Sequence, residues 1–197
     1  MTLSVVVLMT LTFALLPFGR SVNAPLGVLS LISIWLLASQ WRWFWNQPVT
    51  RWILVLVAAL WLPQLLALPG AANFERAWGG AAYYPLYGLA ALPVVWAAWR
   101  HDITPVLLYA VLAISLLWAI DGLIQFIVGT DLFGFPYNGR RLTGMFHPNL
   151  TMGVVMAHLL PLVMEAIRRL MHRHWSWVLA VLPIMVTIVL TGSRSAM

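Results

Sequence analysis

Apolar residues in this chain run in long unbroken stretches instead of recurring on one face of an element. Seven stretches can be marked, at about residues 3–18, 24–39, 52–68, 83–99, 105–128, 150–167 and 176–190. Most reach or approach the ~17 to 25 residues that carry a helix across the hydrocarbon of a bilayer. Continuous apolar runs lack the alternation that a membrane β-barrel requires, and a lone strand in lipid leaves its backbone groups unpaired. The pattern therefore predicts an all-α fold, a polytopic transmembrane helix bundle of about seven helices. With no internal repeat or low-complexity linker, residues 1–197 read as a single membrane-embedded domain.

Local residues sharpen some boundaries. The first two runs are short and predict a tilted hairpin around Pro17-Phe18-Gly19-Arg20. Thr104-Pro105 reads as an N-cap followed by proline at the first helical position, and Pro148-Asn149 as a cap before Leu150. Pro63, Pro93 and Pro183 fall inside helical runs, where each removes a backbone hydrogen bond and predicts a kink.

Composition removes the soluble alternative. Hydrophobic residues make up 62% of the chain and charged ones 8%, too few to coat a water-soluble globule. Cysteine is absent, which excludes disulfides, thiol catalysis and Cys-ligated metal. The net charge is +6, and all of the basic residues behind it are arginines, scattered between the apolar runs and not gathered on one face, so no nucleic-acid partner is expected. The first apolar run lacks a basic leader and a small-residue cleavage site, and reads as a retained helix.

Seven crossings place Arg42, Arg51, Arg100, Arg168, Arg169 and Arg173 on one side and Arg20, Arg76, Arg140, Arg141 and Arg194 on the other. With Arg140, Arg141 and Arg194 set aside for chemistry, the positive-inside bias puts the N-terminus in the cytoplasm and residues 129–149 outside. Trp41, Trp43 and Trp45 around Arg42 read as an interfacial belt, and the basic segment from Arg168 to His174 as an anchor at membrane lipids.

Residues 129–149 form a connection longer than packed helices usually need, which marks it as the candidate site. It mixes turn residues with Arg140 and Arg141 and leads through Asn149 into a helix, whose free N–H groups attract phosphate. Arginines there add donors matched to phosphate oxygens. His147 reads either as a phosphate contact or base, or as the residue shaping the turn before Pro148. Asp121 and Gln125 share one helix face beneath the connection, with Asp121 expected as a buried partner of Arg141 or Arg194. His158 and Glu165 share another face and read as packing. No metal-ligand spacing and no nucleotide-binding glycine loop occur, so neither metal nor cofactor is expected.

Two segments carry a family resemblance. Arg141-Leu142-Thr143-Gly144-Met145-Phe146-His147-Pro148-Asn149 resembles, one residue shorter, the Arg-x-x-Gly-x-Phe-x-x-Pro-Asn loop of the O-antigen ligase and O-antigen polymerase superfamily of bacterial envelope enzymes. Thr191-Gly192-Ser193-Arg194-Ser195-Ala196 is similar to the Thr-x-Ser-Arg-Gly/Ser-Ala segment that ends the following helix in that group. The resemblance implies a multi-pass inner-membrane transferase. It would take a glycan from an undecaprenyl pyrophosphate carrier and attach it, at the periplasmic face, to an acceptor sugar: the lipid A core for a ligase, a growing polysaccharide for a polymerase. It implies pyrophosphate contacts from Arg141, Arg194, Arg140, His147 and Asn149. The acceptor-activating histidine of the family lies in a large later periplasmic loop that this sequence lacks. The chain is accordingly expected to be the N-terminal part of a longer enzyme and inactive alone. The competing class is an anion transporter, whose mark would be inverted repeats with broken helices meeting at mid-membrane.

Overall fold

The computed structural model describes residues 1–137, 139, 141–170 and 176–192, and every regular element among them is helical. α1 spans Thr2–Ala14, α2 Asn23–Asn46, α3 Pro48–Ala67, α4 Phe74–Leu89, α5 Ala91–His101, α6 Thr104–Val128, α7 Met152–Leu170 and α8 Ser176–Leu190. Tighter 3-10 turns occupy Leu16–Val22, Leu68–Gly70 and Gly144–Phe146. Each of the seven apolar stretches is helical, and the chain is an all-α membrane helix bundle.

Four segments are long and apolar enough to cross a membrane: Leu16–Asn46, Pro48–Gly70, Phe74–His101 and Thr104–Val128. The 13 residues of α1 are fewer than a crossing needs, since at ~1.5 Å per residue they rise about 20 Å against a hydrocarbon core of ~30 Å. Lipid contact is written on the helix surfaces. Only 6% of the most apolar window of α3 is buried, and Leu66, Ile127 and Leu179 are each more than three-quarters exposed. In water such surfaces would drive aggregation; in a bilayer they are the solvated side.

The helix starts differ from those read off the sequence. α6 begins at Thr104 with Ile103 in the cap position and no side-chain cap bond. α7 begins at Met152, and the Thr151 carbonyl accepts the Val155 N–H at 3.0 Å. Asn149 is therefore not the cap of that helix; its N–H closes the preceding turn onto the Phe146 carbonyl at 2.6 Å. α2 runs on past Ser39 to Asn46, with non-helical geometry at Gln40 (φ −130°, ψ 29°).

By contacts the chain falls into two compact units, residues 1–9 with 23–102 and residues 10–22 with 103–197. In the first, α2 packs against α3, α4 and α5. The fourth apolar stretch breaks at Ala90, so Pro93 sits in the first turn of α5 and not inside a continuous helix. The break has a local cause. A proline four residues on offers no N–H to the Leu89 carbonyl, and that carbonyl accepts instead the buried Ser33 hydroxyl from α2. Gly88, one residue earlier, lets α4 approach α3 so closely that a Cβ there would overlap the Val57 side chain.

In the second unit α6, α7 and α8 pack on one another around Leu112, Trp118, Met156, Val163 and Ile184. Small residues set the crossings, as is usual where lipid supplies no hydrophobic drive between helices. A Cβ on Gly122 would lie 2.9 Å from Met152 Cε and 3.0 Å from Thr187 Cγ2, and one on Gly153 would overlap Thr191. The buried Thr187 hydroxyl is shared between Pro183 O in its own helix (2.8 Å) and Ala119 O in α6 (3.2 Å). His158 and Glu165 do not pack in this core. His158 is exposed, and Glu165 pairs with Arg168 and Arg169 one turn on, each at 2.7 Å.

Gly88→Ala is expected to destabilise the first unit by ~1–3 kcal/mol through overpacking. Val57→Ala in the same molecule should recover most of the loss, a coupling read by thermal unfolding of the purified single and double variants.

Candidate functional site

The connection between α6 and α7 is a folded structure pinned from below by two side chains of α6. Asp121 and Gln125 are one helical turn apart and fully buried. Asp121 Oδ1 accepts the Leu132 N–H at 2.9 Å, and its Oδ2 accepts the Met145 N–H at 2.8 Å. Gln125 Oε1 accepts two successive amides, Thr143 N–H at 3.0 Å and Gly144 N–H at 2.9 Å. Its Nε2 donates to Thr143 Oγ1 and to the Phe135 carbonyl, at 3.2 and 3.3 Å. Backbone donors in a non-helical segment at a membrane face need such acceptors, since each one left unmet costs ~1–3 kcal/mol. Both Asp121 carboxyl oxygens accept loop amides; of the two guanidinium partners that the sequence suggested, Arg194 lies outside the described residues.

Each half of the connection also closes on itself. Gly129, at φ 90°, ends α6 and donates to the Gln125 carbonyl. Asp131 Oδ1 accepts the N–H groups of Phe133 and Phe135, at 2.9 and 2.7 Å, and Tyr137 N–H returns to the Gly129 carbonyl. In the second half the buried Phe146 ring packs edge-on against Trp118 of α6, with centroids 5.1 Å apart. Gly144 has φ +48°, and a Cβ there would lie 2.7 Å from Asp121 Oδ2. Gly144 and Phe146 are thus points at which the connection enters the helix packing. Both requirements, left-handed backbone and close approach to a carboxyl oxygen, are met by glycine alone.

Above this anchor lies a cleft of about 460 Å³ lined by Pro17, Phe18, Phe133, Phe135, His147 and Asn149, among others. The His147 ring stacks on Phe135, 4.4 Å between centroids and 16° between planes, while the residue's backbone N–H donates to the Gly144 carbonyl. The residue therefore shapes the turn and also presents one face of its ring to the cleft wall. Asn149 is exposed on the cleft rim. Arg141 is exposed, immediately before the buried Leu142 and Thr143, and is not among the lining residues. Arg140 and Arg194 lie outside the described residues.

The structure thus brings His147 and Asn149 to one cleft and fixes the backbone on the C-terminal side of Arg141. Sequence reading missed the aromatic wall; its signal was the spacing of Phe133 and Phe135 around Gly134, which reads equally well as turn composition. Among the described residues no three His, Asp or Glu side chains stand close enough together to hold a metal ion. No protein-family model and no solved structure matches the chain.

Replacing Asp121 by alanine leaves two loop amides without their acceptor. Hydrogen exchange at Leu132 and Met145 should accelerate by about tenfold or more, with Asp121→Asn intermediate because only its carbonyl oxygen still accepts. Unchanged protection at both amides would show that the loop does not depend on this side chain.

Proposed function

We propose that the chain carries the donor-binding part of a membrane glycan transferase of the O-antigen ligase and polymerase kind. In this reading a saccharide passes from undecaprenyl pyrophosphate to an acceptor sugar at the periplasmic face of the bacterial inner membrane, with the lipid A core as the acceptor of a ligase. The observation that carries the proposal is the anchored loop. Thr143 and Gly144 are held on Gln125, and Met145 on Asp121, so the segment presenting Arg141 is held in place before any ligand arrives. Departing pyrophosphate gains negative charge as the glycosidic bond breaks, and donors already in position stabilise that charge without reorganising.

Arg141 and Arg194 are assigned as the principal diphosphate contacts, with Arg140, His147 and Asn149 completing the site. In this reading α7 and α8 each cross the membrane after α6, which puts the Arg141 loop and the end of α8 at one face. The apolar, aromatic wall of the neighbouring cleft suits a lipid-linked donor. In this reading Asp121 and Gln125 are positioning residues that act through the loop. Ligase and polymerase share this donor chemistry and differ in acceptor, for which none of these residues selects.

In this reading Arg141→Ala and Arg194→Ala are each expected to lower glycan transfer by about two orders of magnitude, as loss of a preorganised donor does, while membrane insertion is retained. Transfer at the unmodified rate in both variants would remove the assignment. Because the sequence contains no native cysteine, single cysteines at positions 141 and 194 can be labelled from either side of the membrane; labelling from opposite sides would rule out a shared anion site.

A further inference from the structure

A cavity lined by arginines lies in the first unit, at the break in α2. Its volume is about 570 Å³ and its walls are residues 38–43 of α2 together with Arg100 of α5. The cavity owes its form to Gln40. That residue leaves helical geometry, and its Oε1 accepts the Trp96 indole N–H at 2.9 Å, tying the break to α5. The same Trp96 ring supports the Arg100 guanidinium, whose Cζ stands 5.5 Å from the ring centroid. Trp43 packs against Trp99 at 5.2 Å, and its own indole N–H is buried without an acceptor among the described residues.

Two guanidiniums, Arg42 and Arg100, therefore line one cavity, and neither has a carboxylate partner among the described residues. An arginine in the last turn of α5 answers the helix dipole, but that does not account for a second arginine on α2 or for the tryptophan framework between them. Trp41, on the cavity wall, stacks on Trp45 at 5.0 Å, and both rings are half-exposed. Stacked, exposed indoles beside arginines are the chemistry of the headgroup level, where rings sit among ester groups and guanidiniums meet phosphates.

We propose that this cavity binds the phosphate headgroup of an anionic lipid, with Arg42 and Arg100 on the phosphate oxygens and the acyl chains lying along the exposed Trp41 and Trp45 rings. The ligand chemistry is a phosphodiester, and the lipid is favoured over a free phosphate because the cavity opens beside apolar rings. The site is separate from the diphosphate site proposed above and does not depend on it.

The test uses the purified protein in mixed phosphatidylglycerol and phosphatidylcholine nanodiscs, with retained lipid counted by native mass spectrometry. Arg42→Gln with Arg100→Gln should lower phosphatidylglycerol retention by about tenfold or more, whereas Arg51→Gln, an exposed arginine outside the cavity, should change it less than about twofold. The charge-keeping pair Arg42→Lys and Arg100→Lys, which guards against a folding defect, should give an intermediate loss because lysine lacks the planar fork. Equal losses from Arg51→Gln and the double variant would mean diffuse attraction and overturn the site. Displacement of phosphatidylglycerol by equimolar glycerol phosphate would overturn the lipid assignment in favour of a free phosphate.

Discussion

The α6–α7 connection depends on one constraint: two polar side chains, buried near the end of an apolar helix, must satisfy backbone groups that have nowhere else to turn. Asp121 and Gln125 take up Leu132, Thr143, Gly144 and Met145 N–H groups and give a donor back to Phe135. In a bilayer, irregular backbone is tolerated only where protein or a wet cavity answers it. A long loop at the membrane face is thereby turned into a fixed platform, and the burial of Phe146 against Trp118 ties the platform to the helix packing.

The same accounting of backbone groups governs the first unit. Pro93 denies Leu89 its helical donor, and Ser33 supplies one from a neighbouring helix. The broken segment gains a bond across the bundle in place of one along it. Gln40 does something similar at the end of α2, exchanging helical geometry for a side-chain bond to Trp96. Gly88, Gly122 and Gly153 let neighbouring helices approach at their crossings, because between lipid-solvated helices close contact and hydrogen bonds must replace the hydrophobic drive.

These devices divide the labour at the candidate site. The residues that hold the loop are buried and bonded, while Arg141 and Asn149 are exposed and His147 is half-buried. The diphosphate site we propose would use both kinds, since donors stabilise developing charge best when their scaffold does not move to meet it.

By itself the sequence determined the solvent and the fold class, because 62% apolar composition in unbroken runs admits only helices in lipid. It also marked the connection at residues 129–149 as too long to be a mere link. Helix ends were less legible: Asn149 has the residue type of a cap, yet α7 starts at Met152 because the chain first closes a turn onto Phe146. Pro93 could be seen, but not that the helix would break three residues earlier with Ser33 to receive it. Asp121 stood out as a buried acid, and only tertiary structure decided that it accepts amides more than ten positions away in the chain. Periodicity and composition report what surrounds a segment, whereas hydrogen-bond partners depend on which distant groups the packing brings within 3 Å of one another.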